Sequence, residues 1–365
     1  MSVRSAQQRG RVELATPRPQ DALRAGRVWN SMVVPGCKVV FVNVSKNAST
    51  SLKWLTAELS GQDPDTFHSV LGLAPTRQQT IHRRASWVDV PKLSDLGAEE
   101  LAEISPDNGW FVFGVIRDPR LRVWSAWQSK FLVGNPRHTW HKFRDAPWLP
   151  RVPRDAQDVV DDFGAFVREL EGTDGADLLA DTHFRPQTDL LHESVVPYSH
   201  LYETSGLGLL LDDLREHLVA QGLPGDHELT RENETPLSVA GRVFTPEVVD
   251  VLDRVYAADL ARFGHLWDFG TVLAKDPTWA PEAYRDIAGR VAAGQRIADL
   301  AHGAEVLQAT VRELERARRA DQRRIDRLTG RVAELEAALD RRTLRGLPRA
   351  AASRVRRTLT RGPGA

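Results

Sequence analysis

At 365 residues the chain exceeds the usual single-domain size, which predicts one large domain with an appendage. It is 41% hydrophobic, enough for a real core, and its 49 basic and 49 acidic residues cancel, which excludes a global field that gathers nucleic acid or membrane. The single cysteine, Cys37, excludes an intrachain disulfide and reads as an inert buried thiol; with neither a signal-peptide core in residues 1–38 nor a run of about 18 apolar residues, a reducing cytoplasm is expected.

In chain order, residues 1–36 carry Pro17, Pro19 and Pro35 with little periodicity and read as a poorly ordered lead-in. Residues 39–44 are almost wholly apolar and β-branched or aromatic, which predicts a buried strand. Leu52, Leu55 and Leu59 then recur at helical spacing. Between them, residues 45–51 form a turn of small polar residues holding one lysine, Lys46, with no glycine required. A strand that enters a helix through such a turn offers unpaired N–H groups, a helix dipole and an ammonium, which together make an anion site.

Residues 61–109 read as a mixed connection with one histidine, His82, in a basic run. Residues 110–116 predict a second buried strand, Pro119 opens a helix, and Val123, Trp127 and Phe131 recur every four residues. Two strand–loop–helix units predict an α/β fold with a mainly parallel sheet and a ligand at the carboxyl ends of its strands. Residues 132–155 read as a surface loop, whose Trp140 and Trp148 either stack on a sugar or pin the loop to the core. Residues 162–170 predict a helix, 181–191 a polar segment holding His183, 195–202 a strand ending beside Glu203, and 207–218 a helix. A loop at 231–236 follows, then a helix capped by Thr245-Pro246-Glu247, with Val248, Val251, Val255 and Phe263 inward and Gly264 as its stop.

After a linker at 276–296, thirteen positions from Ile297 to Leu339 follow 3–4 spacing without a slip, and only Arg318 and Asp321 among them are not apolar. That pattern predicts a coiled coil over 297–340, hence a homo-oligomer. Residues 341–365 contain eight arginines and no acid, a basic tail suited to an anionic membrane surface or a polyanionic acceptor.

The turn at Lys46 lacks the glycine-rich nucleotide-loop signature, and the second strand ends in Arg117 rather than an acidic magnesium ligand. Arg117 with Ser125, about two helical turns on, suits a second anion clamp, so the ligand has two separated anionic groups and needs no metal. A small-molecule P-loop kinase and a non-catalytic coiled-coil scaffold remain as alternatives.

The stretch VSKNASTSLKWL resembles the 5′-phosphosulfate loop of carbohydrate sulfotransferases, with Ser45 where that family usually has proline. VIRDPRLRVWSAWQSKF is similar to their 3′-phosphate motif, DTHFRPQTDLL to their His-x-x-Pro-Gln segment, and VYAADLARFGH to their closing Tyr–Asp–Phe-Gly helix. The resemblance covers residues 38–268 and implies a P-loop-like sulfotransferase domain, taken as 37–275, with a central parallel sheet flanked by helices. It implies the donor PAPS (3′-phosphoadenosine 5′-phosphosulfate), with Lys46 at the bridging oxygen and sulfate. Asn47, Ala48, Ser49, Thr50 and Ser51 would bind the 5′-phosphosulfate, and Arg117 and Ser125 the 3′-phosphate. Lacking the anchor and disulfides of Golgi members, the chain looks like a bacterial-type relative acting on a carbohydrate or glycolipid hydroxyl. The attacking hydroxyl needs a base near neutral pKa, so His82 and His183 are the candidates, ahead of Glu203. Arg231 and Asn233 are further nucleotide contacts, unless that loop is a simple turn.

Overall fold

The computed structural model describes residues 11–14, 28–63, 67, 80–82, 87–139, 142–230 and 235–359, without the side chains of residue 137 and of 342–359. Five strands, β1 (Arg11–Val12), β2 (Ser31–Val34), β3 (Val39–Val42), β4 (Phe111–Ile116) and β5 (His200–Glu203), form one sheet in the order β1-β5-β4-β3-β2. β3, β4 and β5 run parallel in the centre, while β2 and β1 pair antiparallel on the two edges. All residues of β3 and β4 are buried, as befits parallel strands covered on both faces.

β2 corrects the expected lead-in over 1–36. Its four residues are buried, and the strand is too short and too close to Pro35 to show a period in the sequence. The rest of that lead-in, residues 1–10 and 15–27, lies outside the described residues.

The longer helices are α1 (Ser49–Leu59), α2 (Pro119–Trp127), α3 (Ala156–Glu169), α4 (Leu207–Ala220), α5 (Pro246–Val255), α6 (Ala257–Phe263) and α7 (Pro281–Leu359). Leu52 and Leu55 of α1 and Leu210, Leu214 and Leu218 of α4 cover one face of the sheet, against Phe41, Phe113 and Tyr202. Leu190, Leu191 and Phe263 cover the other, against Val40, Val112 and Leu201. Each such buried side chain contributes about 1.5–3 kcal/mol. Beside the sheet, α2, α3 and α5 enclose an aromatic core that includes Trp124, Trp127, Phe131, Phe163 and Phe244.

That core decides the loop at 132–155. Trp148 is buried, its ring centroid 5.0 Å from that of Phe131 and its Nε1–H donating to Asp174 at 2.7 Å. It therefore anchors the loop and is not a platform for a sugar. Trp140 lies outside the described residues.

The expected linker at 276–296 is helical from Pro281. Ile287 is fully buried, and Tyr284 and Val291 pack on the same aromatic core, so this stretch is an anchored helix start and not a spacer. The chain divides into two compact units, Met1–Ala298 and Asp299–Ala365. In the second, the helical backbone runs on to Leu359, past the expected boundary at 341, because arginine, alanine and leucine are strong helix formers. No helix among the described residues is long and apolar enough to cross a membrane.

Candidate active site

The carboxyl ends of β3 and β4 meet at the Lys46 turn. Lys46 (φ 73°) and Ala48 (φ 56°) both adopt the left-handed conformation, alternating with Asn47. Such alternation curls successive N–H groups into an anion-binding concavity. The turn thus uses two positions where glycine costs least, although neither is glycine; each carries strain of about 1–2 kcal/mol. Strain kept at a helix start needs a use. The first helical bond of α1 runs from Leu52 N–H to the Ala48 carbonyl at 3.0 Å, so Ser49, Thr50 and Ser51 present N–H groups with no intrahelical acceptor.

The turn is held from below by a chain of buried hydrogen bonds. Asn47 Nδ2 donates to the Val115 carbonyl at 2.8 Å and to Gln187 Oε1 at 3.1 Å. Gln187 also accepts from Arg117 N–H at 3.1 Å and donates to the Arg117 carbonyl at 2.7 Å. Its own N–H donates to Asp259 at 3.0 Å, which accepts twice more from Thr188. Tyr256 O–H donates to the Phe184 carbonyl at 2.5 Å. Two of the sequence segments singled out above, around Gln187 and Asp259, are therefore supports of the turn and of the β4 end. Arg122, fully buried, completes the frame by donating to the carbonyls of Ser45, Arg185 and Thr182 at 2.9, 2.7 and 2.7 Å.

The charges at the turn are almost all of one sign. Burial, then Lys130, Arg117 and Arg122, push the Lys46 ammonium down to about 7. Burial and Lys130 push Lys53 down to about 8. Arg117, whose guanidinium reaches the Lys46 carbonyl at 3.4 Å, is also pushed down by burial, against Asp118 and Glu203. Burial disfavours the charged form of each group, and an anion bound among them would restore it. Asp118 does not serve, because both its oxygens are occupied by Arg120 at 2.9–3.0 Å.

Both candidate histidines border this cluster. His82 lies against α1, its Nε2 3.3 Å from Thr50 Oγ1 and its Nδ1 3.0 Å from Lys53 Nζ. An ammonium only donates, so Nδ1 accepts and the ring proton sits on Nε2; burial and then Lys53, Lys130 and Lys46 push the ring down to about 3. His183 is set differently. Its Nδ1 is 2.6 Å from Asp181 Oδ1, and the other Asp181 oxygen is 3.1 Å from His138 Nε2. Burial raises the Asp181 carboxyl, but the hydrogen bonds from His138 and His183 outweigh it and hold the group well below the usual carboxylate range. The anion keeps the His183 proton on Nδ1 and leaves the Nε2 lone pair free of any hydrogen bond to a described residue. Burial and the Lys130 charge push this ring to about 3 as well.

Of the remaining predicted residues, Ser125 sits on α2, 8% exposed, with no hydrogen bond joining its side chain to Arg117 among the described residues. Glu203 pairs with Ile116 on the neighbouring strand and lies near Arg117; burial raises its carboxyl. Arg231 and Asn233 lie outside the described residues. A cleft of about 510 Å³ opens beside the turn, walled by Ala48, Ser51, Leu207, Leu211 and Leu229.

Sequence reasoning missed Ser129, whose Oγ accepts from Lys46 Nζ at 3.1 Å, and the role of Lys130 beside it. Both sit on a single π-helical turn, Gln128–Leu132, that continues α2. A four-residue apolar period runs straight through this stretch, so no pattern reveals the wider turn, which favours functional sites. Lys53 was detectable, three residues after Thr50 on one helix face, and Asp181 two residues before His183.

The profile of the sulfotransferase family matches residues 29–265, a span that holds every element of this site. The chain belongs to that family. Neither a curated protein nor a solved structure matches it. All of α7 lies outside the matched span.

Proposed function

We propose that this sulfotransferase moves the sulfuryl group from PAPS to a hydroxyl of a carbohydrate or glycolipid by in-line displacement. The observation that carries the reading is the desolvated Lys46 ammonium on a strained helix-start turn, among Lys130, Arg117 and Arg122. The donor, when bound, supplies an activated sulfuryl group and a leaving phosphate. Lys46 neutralises charge building on the leaving oxygen, and the N–H groups of residues 49–51 hold the 5′ anion. Arg117 and Ser125 serve the 3′-phosphate, and the cleft beside Ala48, where Leu207, Leu211 and Leu229 share the wall with Glu228 and Thr230, suits a flat base with a polar edge. The proposed donor set holds no metal.

His183 is the better base. As the acceptor oxygen bonds to sulfur, its proton passes to His183 Nε2, and Asp181 stabilises the imidazolium that forms. His82, whose ring is tied to Lys53 and Thr50, instead orients the phosphosulfate side of the site. A small-molecule kinase predicts magnesium-dependent ATP binding, which a turn surrounded by Lys130, Arg117 and Arg122 does not favour.

Titration with 3′-phosphoadenosine 5′-phosphate tests the donor: a thermal shift at sub-millimolar concentration is expected, lost in Lys46→Ala. No shift at millimolar concentration would sink the assignment, and a shift with ATP and magnesium alone would favour the kinase.

The same reading includes self-association along the apolar stripe of α7 and attraction of the arginine-rich 341–365 segment to anionic lipid or a polyanionic acceptor. Each arginine near such a surface contributes about 1 kcal/mol. Flotation with anionic liposomes that is unchanged by deleting 341–365 removes the lipid part. A cytoplasmic, bacterial-type setting belongs to the proposal too, and fractionation of expressing cells checks it.

A further inference from the structure

Among the described residues of the second unit, the helix carries an exposed apolar stripe: Leu300, Leu307, Leu314, Leu328 and Leu335 are 50–67% exposed. At 3–4 spacing, Ile297 opens the a positions and Leu300 the d positions, so Arg318 falls at a and Asp321 at d of one heptad. The apolar seam from Leu300 to Leu339 is centred on that polar pair.

We propose that two copies of the chain pair antiparallel through α7, in the register that sets Arg318 of each copy against Asp321 of the other. This deepens the self-association of the proposed function and rests on it, but not on sulfuryl transfer. In the antiparallel register a faces d, so Leu300 meets Leu339, Leu307 meets Val332, Leu314 meets Ile325, and the central layers hold two Arg318–Asp321 ion pairs. No layer of the seam from Leu300 to Leu339 sets like charges against each other, and every other seam layer is apolar on both sides. The flanking positions add no clash, since Glu315 lies near Gln322, Arg324 near Ala317 and Arg331 near Thr310.

The parallel alternative has one point in its favour. Ile297, Val311, Ile325 and Val332 at a, with leucine at most d positions, suit a parallel dimer. It also places Arg318 on Arg318 and Asp321 on Asp321 in consecutive core layers. Like charges facing each other in a partly desolvated seam outweigh a side-chain shape preference, because breaking a buried ion pair costs more than repacking an aliphatic layer. Charge therefore sets the direction.

The test uses the full-length chain in two arms. In sedimentation, the wild type is expected to be a dimer. Arg318→Leu weakens it at least tenfold by leaving the Asp321 carboxylates unpaired, and Arg318→Asp combined with Asp321→Arg retains it. A nitroxide on Ala309→Cys gives the second readout, Cys37 being buried and left unlabelled. Antiparallel pairing puts the two labels at levels about 32 Å apart along the axis. Parallel pairing puts them at one level, separated by about 8–10 Å between axes plus the label arms. A monomer at all concentrations removes self-association itself. A dimer with the short label distance, a dimer tightened by Arg318→Leu, or a trimer overturns the antiparallel register while leaving self-association standing.

Discussion

In the proposed reaction, one set of charges prepares Lys46 and His183 for two opposite tasks. Lys46 has lost water without gaining a counter-anion, so its folded value of about 7 lies below the ordinary lysine value. Lowered basic groups make the fold gain stability as pH rises from the folded towards the unfolded value, because the unfolded chain binds more protons over that window. Anion binding runs the other way, since it needs the ammonium. The thermal shift given by 3′-phosphoadenosine 5′-phosphate should therefore be larger at pH 6 than at pH 8.5, and Lys46→Met should flatten that difference. At the chemical step, Lys46→Ala should cost about 10²–10³ in kcat.

For His183 the expected loss is about 10²–10⁴ in kcat in the Ala variant, the usual worth of general base catalysis, with nucleotide affinity nearly unchanged. His82→Ala should instead weaken nucleotide binding more than it slows the loaded enzyme. Single-turnover kinetics on both variants separates the two roles. Asp181→Asn should shift the pH–rate profile, because an amide no longer stabilises the imidazolium or keeps the ring proton on Nδ1.

At the scale of elements, the site is a turn between β3 and α1 and a strand end in β4, tied together by Gln187. Gln187 in turn hangs from Asp259 on α6, so a helix remote in sequence sets the geometry of the Lys46 turn. Asp259→Leu should cost about 2–4 kcal/mol in urea unfolding, since two N–H groups and a hydroxyl lose their buried acceptor. The same variant should weaken nucleotide binding although Asp259 touches no ligand. Stability lost with binding intact would show that the turn stands without this support.

For the molecule as a whole, all described site residues fall within the unit Met1–Ala298, and the exposed seam falls almost wholly within Asp299–Ala365. A chain ending at Ala298 keeps Ile287 and Val291 on the aromatic core. It should melt within a few degrees of the full chain and turn over a soluble acceptor at an unchanged rate per site, while losing self-association. A fall in melting temperature of about 10 °C or more would mean that the long helix stabilises the catalytic unit.

The local chemistry was legible in the sequence. Apolar runs at 39–44 and 110–116 specify buried strands, because a strand covered on both faces needs no polar residue. The small residues around Lys46 and the arginine after β4 already suggest the anion sites proposed above, since a helix start and a guanidinium act through atoms of their own segment. Thirteen seam positions specify the long helix, because helical periodicity is itself local. What needed the tertiary structure is everything that depends on distance in space. The edge strand β2 exists through its pairing with β3, and Trp148 is an anchor because an aromatic core happens to lie beneath it. Lys46 becomes a perturbed ammonium only when Lys130, Arg117 and Arg122, from other elements, close around it. The proposal prefers His183 to His82 for the same reason: neighbours at 2.6 and 3.0 Å, one an anion and one a cation, set which nitrogen of each ring keeps a lone pair.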